Sequence, residues 1–176
     1  MTRTARRPPT LTNWGSSLTC FHKNTVIVTG GWNPDGPQKT VEYYTVKTDS
    51  WSLAVPEMHL ARCSHSSCSL GAKIYVFGGT TRTASDDEPL QTSEKIECLD
   101  AGSFLSGTQV RWNILDLQNQ AYLTTRSRSL MCPISDSELV ILGGNSKGTN
   151  LADAILFDTN VGTIRQLPEL ATDHGY

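Results

Sequence analysis

The chain has 176 residues, 15 of them Lys or Arg and 17 Asp or Glu, for a formal net charge of −2. That length suits one domain with a sizeable core, and the near-balanced charge argues against a nucleic-acid or polybasic membrane role. No apolar run approaches membrane-spanning length, and the five cysteines are dispersed with no Cys-x-x-Cys, so the reading is a reducing, intracellular and cytoplasmic compartment without membrane insertion.

In chain order, Arg3, Arg6 and Arg7 followed by Pro8-Pro9 read as a solvated N-terminal arm over residues 1–12. A first unit follows at residues 13–60, with strands expected at 17–21, 25–29, 41–44 and 51–55. A second unit, 61–124, has strands at 62–70, 73–77, 94–99 and 110–115, with a polar loop over 80–93. A third, 125–170, has strands at 129–132, 138–142, 154–157 and 162–167. Residues 171–176 lead toward a missing next unit. Every second strand ends in a glycine pair: Gly30-Gly31, Gly78-Gly79 and Gly143-Gly144. The intervals of 48 and 65 residues define a repeat of about 50. Four short antiparallel strands per repeat is the pattern of a propeller blade. No stretch has convincing helical periodicity, so almost no helix is expected.

Six residues separate Tyr44 from Trp51, and the same spacing separates Phe157 from Ile164. Two glycines ending a strand, an aromatic residue about 13 positions later, then six residues and a Trp, resemble the kelch motif. The Arg-x-x-His at Arg62 and the Ile-Tyr-Val-Phe-Gly-Gly at Ile74 strengthen that resemblance, which covers roughly residues 14–170. It implies an all-β fold of three four-stranded antiparallel kelch blades, half or a fragment of a β-propeller, with each first strand innermost. Three blades do not close a ring. The chain is therefore part of a longer protein, or two chains form a homodimeric six-bladed ring, or the blades stack openly. The fragment reading ranks first.

Tyr44, Trp51, Trp112 and Phe157 recur at repeat positions and are read as wedges between blades. The glycines are read as supplying left-handed backbone or close approach at strand ends. Cys20, Cys68 and Cys132 lie ten, ten and eleven residues before their glycine pairs. They are read as small packing residues at one repeat position rather than a three-thiol metal site. His65, on the predicted inner strand, is read as a structural hydrogen bonder. No metal and no cofactor are expected.

The loops after each second strand share a face with the lead-in to each next blade. That face gathers Trp32 and Asp35 from unit one; Arg82, Asp86, Asp87 and Glu88 from unit two; and Asn145, Lys147 and Asn150 from unit three. Trp14, Arg62, Arg126 and Arg128 stand at the strand-one entrances. In families that this chain resembles, such loops bind peptides and proteins, and entrance arginines contact acidic groups. Trp32, Asp35, Arg62, Arg82, Arg126, Arg128 and Lys147 are therefore the candidate partner contacts, for a protein or peptide partner and not nucleic acid. The function expected is a non-catalytic protein-interaction scaffold, with a ubiquitin-ligase adaptor fragment as one setting. The alternative is a structural subunit docking through its open blade faces. An enzyme such as a copper radical oxidase ranks last, because its converging tyrosines, histidines and cysteine are not assembled here.

Overall fold

In the computed structural model, which describes residues 15, 17–21, 24–53, 55–82 and 89–173, the period-two alternation of the sequence becomes antiparallel sheet. The arm with Arg3, Arg6 and Arg7, the Trp14 position, Asp86, Asp87, Glu88 and His174 lie outside those residues. Blade one comprises β1 (Ser17–Phe21), β2 (Thr25–Thr29), the hairpin β3 (Trp32–Asn33) and β4 (Gly36–Pro37), then β5 (Val41–Thr45) and β6 (Ser50–Ser52). Blade two comprises β7 (Arg62–Cys63), β8 (Ser66–Leu70), β9 (Lys73–Phe77), β10 (Thr80–Thr81), β11 (Gln91–Thr92), β12 (Ile96–Asp100), the helix α1 (Ala101–Leu105) and β13 (Asn113–Ile114). Blade three comprises β14 (Leu130–Pro133), β15 (Glu138–Leu142), the hairpin β16 (Asn145–Ser146) and β17 (Thr149–Asn150), then β18 (Ala154–Asp158) and β19 (Thr163–Leu167).

The sheet orders are β1-β2-β5-β6, β8-β9-β12-β13 and β14-β15-β18-β19. The first strand of each forms one edge, and β1, β8 and β14 pack side by side. The fold is thus all-β, built of antiparallel four-stranded blades.

The apolar alternation fills two layers between blades. Ile27 and Val41 of blade one meet Ile74, Val76, Leu99 and Trp112 of blade two. Tyr75, Phe77 and Ile96 of blade two meet Leu139, Ile141, Ile155 and Phe157 of blade three. Tyr75 and Phe157 contact edge-on at 6.0 Å. Trp112 is 1% exposed, and its Nε1–H donates to the Pro56 carbonyl at 2.9 Å, which satisfies its polar end in the core.

Several expectations are corrected. Residues 62–70 do not form one strand. Ser64 takes φ of +52° and breaks the run, so β7 pairs with β10 while β8 pairs with β9. The fourth strand of blade two is only β13, short of the expected 110–115. The expectation of almost no helix holds: the five-residue α1 is capped by Asp100, whose carboxylate accepts from the Ser103 N–H at 2.9 Å. Five residues are too few for periodicity to show in sequence. A 3₁₀ turn at Gln120–Tyr122 belongs to the 115–123 segment, which runs along β19 through Gln118.

The cysteine count also shifts. Cys68 pairs with Tyr75 and Cys132 with Val140, each three residues before a glycine pair. In blade one Thr19 holds that register, opposite Ile27, and Cys20 pairs with Val26. The loop joining β1 to β2 is one residue longer than the Gly71-Ala72 turn, which moves Cys20 out of phase.

Candidate partner-binding cleft

The glycine pairs shape the loop face that holds the candidate contacts. In the first two pairs the second glycine donates its N–H to the lead-in of the next blade: Gly31 to Arg62 O at 2.9 Å, and Gly79 to Arg126 O at 2.8 Å. A Cβ on Gly79, whose φ is +91°, would lie 2.7 Å from the His65 Cβ, so only glycine allows this approach. Two residues past each lead-in arginine the backbone turns left-handed, at Ser64 and Arg128 with φ of +52° and +58°; Gly15 has φ of +64°. These positions are linked across blades, Ser64 N–H to Gly15 O and Arg128 N–H to Ser64 O, each at 2.7 Å.

Between the blade-two and blade-three loops lies a cleft of about 720 Å³. Thr80, Leu90, Gln91 and Thr92 form one wall, and Asn145, Lys147 and Gly148 form the other. Ser64, Thr125, Ser127 and Arg128 complete the lining. Lys147 and Gly148 have φ of +50° and +86°, the signature of a type I′ turn, so the β16–β17 hairpin projects stiffly. Asn145 holds that hairpin by accepting from the Gly148 N–H and donating to Asn150, both at 3.0 Å. Arg128 and Lys147 are exposed, and no carboxylate pairs with either among the described residues. No lining residue is acidic among the described residues. The described lining thus carries two cations, with hydroxyls and amides interspersed.

The seven candidate contacts divide. Arg128 and Lys147 line the cleft. Trp32, half-buried, and Asp35, exposed, lie on the blade-one hairpin, whose turn is held by the Asp35 N–H donating to Asn33 Oδ1 at 2.8 Å. Arg82 lies against that hairpin, so that a Cβ on Gly36 would stand 3.4 Å from its Cζ.

Arg62 and Arg126, expected at the surface, are fully buried struts. Arg62 donates to the Gly78 carbonyl at 2.6 Å and to Glu97 at 2.7 Å, with both side chains at 0% exposure. Burial pulls its guanidinium below the usual range, and Glu97 pulls it back up. Arg126 donates to the Gly143 carbonyl at 3.0 Å, grips both Asp153 oxygens at 2.6 Å, and lies 6.0 Å from the Phe77 ring centre. The backbone carbonyls at the strand ends need donors in a dry layer, and these arginines supply them. They are held too far inside to reach a partner.

Tyr44 and Trp51 are also corrected as wedges: their rings meet at a tilt, 5.2 Å between centres, on the face of blade one away from blade two, and are only half-buried. Trp112 and Phe157 fill the blade interfaces. His65 lies behind the cleft wall. Its Nε2 bonds the Thr29 hydroxyl at 2.8 Å and so ties blade one to blade two. Burial, reinforced by Arg62, pushes it down to about 3. Burial likewise pushes the Cys68 thiol up to about 12 and Cys98 up to about 11, which disfavours the thiolate needed for nucleophilic or metal chemistry.

Glu97, Asp153 and the Ser64–Arg128 link were not found in the sequence. Only the shared offset of Ser64 and Arg128 from Arg62 and Arg126 carries a readable signal.

A family model described as the KLHDC2/KLHL20/DRC7 Kelch-repeats domain matches residues 15–173. The chain is similar to the Kelch repeat and BTB domain-containing protein 2 of cowpox virus strain Brighton Red, 34% identical over 74 residues. That match spans 42% of this chain and 13% of the viral protein. It is similar also to the horsepox virus protein of that name, 32% identical over 75 residues, 43% of this chain and 14% of the relative. The chain thus matches only a small part of these relatives' length. With antiparallel blades joined through glycine pairs and a family match over most of its length, this chain belongs to the kelch-repeat family.

Proposed function

We infer that the chain is a non-catalytic protein-interaction module whose cleft between blades two and three takes an acidic segment of a protein partner. The observation that carries this reading is that Arg128 and Lys147 both line a cleft in which no described lining residue is a carboxylate. Two cations at a concave polar surface attract carboxylates and steer their approach. The surrounding threonines, serines and Asn145 add neutral donors that hold a peptide backbone. Trp32 and Arg82 widen the same face toward blade one, where an aromatic residue and an arginine suit contact hot spots.

Fluorescence polarisation tests the reading with a labelled Glu/Asp-rich peptide and its Gln/Asn counterpart. The acidic peptide is expected to bind, to weaken as salt rises, and to lose about tenfold or more in affinity when Arg128→Glu and Lys147→Glu are combined. Equal binding of the neutral peptide, or an unaffected double variant, overturns it.

A further inference from the structure

We propose that the segment taken by the cleft is acidic and apolar together: a carboxylate of the partner meets Arg128 and Lys147, while the large apolar side chain next to it in sequence packs on Leu90. This inference rests on the function proposed above and adds a second determinant to it.

Leu90 lines the cleft in the wall opposite Lys147 and is 44% exposed. It stands one residue before β11, next to the exposed Pro89, and belongs to neither apolar layer between the blades. Its side chain thus has apolar area left to lose when a ligand enters.

The repeat shows that the fold does not require a leucine there. Each blade carries a short strand pair after its glycines, in one shared register: β3–β4, β10–β11 and β16–β17. The residue just before the second strand of each pair is Asp35, Leu90 and Gly148 in turn, and all three are exposed. One position accepts an acid, a leucine and a glycine, so the backbone leaves its side chain free. The left-handed turn behaves alike, with Ser64 in blade two and Arg128 in blade three. By this equivalence the mouth between blades one and two combines Asp35 with the neutral Ser64. The mouth between blades two and three combines Leu90 with Arg128. Both free positions change together, from acid and neutral to apolar and cationic.

The walls hold these two chemistries apart. Leu90 enters from the strand pair of blade two, and Lys147 stands on the hairpin turn of blade three. Successive side chains of an extended segment point to opposite sides. A segment lying along the cleft therefore offers one residue to the cations and its neighbour to Leu90. Charge complementarity makes the first a Glu or Asp, and the apolar wall makes the second a Leu, Ile, Met or Phe. Covering Leu90 and that side chain should add about tenfold in affinity.

Fluorescence polarisation with three labelled peptides tests this. The first is rich in glutamate, with two leucines flanking its central glutamate; the second has serines for the leucines; the third keeps the leucines and has glutamines for the glutamates. The leucine peptide is expected to bind about tenfold more tightly than the serine peptide. Leu90→Ser, at an exposed position, is expected to bring those two within about twofold of each other while circular dichroism stays that of the parent. Equal binding of the leucine and serine peptides, or a leucine preference that survives Leu90→Ser, overturns this inference and leaves the acidic reading of the cleft standing. Equal binding of the glutamine peptide, or no binding of any of the three, overturns both.

Discussion

Acid should loosen the joint between blades one and two through His65. The imidazole is fully enclosed, with Nε2 bonded to the Thr29 hydroxyl and Nδ1 without a hydrogen-bond partner. Burial and the neighbouring Arg62 push it down to about 3, against an ordinary value of 6.5. The unfolded chain therefore takes up the proton first. Stability from the neutral ring is complete above about 6.5 and falls as pH drops through that value, by about 1.4 kcal/mol per unit, until pH nears 3. From about pH 7 to about pH 5 the loss is about 2 kcal/mol, before most carboxylates begin to titrate. That is a large share of the roughly 5–15 kcal/mol typical of a domain. Urea denaturation followed by tryptophan fluorescence across this range measures it, with His65→Gln as the comparison. The variant should start less stable but show a slope flatter by about one proton. A variant slope equal to that of the parent would mean that His65 is not the group responsible.

Other outcomes follow from burial and pairing. Trp112→Ala should cost about 3–5 kcal/mol by emptying the space between blades one and two; Trp51→Ala, at a half-buried position on the face of blade one away from blade two, should cost about 1–2 kcal/mol. Equal losses in chemical denaturation would sink the distinction between a buried wedge and a half-buried aromatic pair. Glu97→Gln should cost about 3–5 kcal/mol, because it leaves the Arg62 charge buried without a counter-charge. Asp153→Asn should cost less, since that carboxylate is one-fifth exposed and water relieves part of the loss; the reverse order in thermal or urea melts would refute the argument.

Periodic features were legible in the sequence. The strand positions around each glycine pair follow from alternation, and the pair itself marks where one blade's backbone must touch the next. Features set by a single long-range contact were not legible. Arg62 and Arg126 were read as surface cations because an arginine at a loop mouth is usually solvated. Glu97 lies 35 residues from Arg62, and Asp153 lies 27 residues from Arg126. The two carboxylates also occupy different repeat phases. Glu97 is opposite Val76 within β12, while Asp153 precedes β18, so no single offset would have revealed both. Trp51 was read as a wedge from its repeat position alone. The fold fills the equivalent space only where a preceding blade exists.

The same register explains why the cleft carries charge at Arg128 and not at Arg126. Strand alternation sends successive side chains to opposite sides. Arg126 turns inward to cap Gly143 and Asp153, and Ser127 pairs with Asn145 through the backbone. The left-handed turn at Arg128 then breaks the alternation just before β14, leaving that side chain exposed while its N–H stays bonded to Ser64. In blade two the equivalent residue is Ser64, so the repeat supplies the same backbone turn with a neutral side chain. A left-handed backbone that is costly for any non-glycine residue is retained at both positions. Its structural part is the blade-to-blade hydrogen bond, common to both. The residue identity is left free by that part. The arginine therefore distinguishes the blade-three mouth from the blade-two mouth, and a binding preference located there can change without disturbing the joint beneath it.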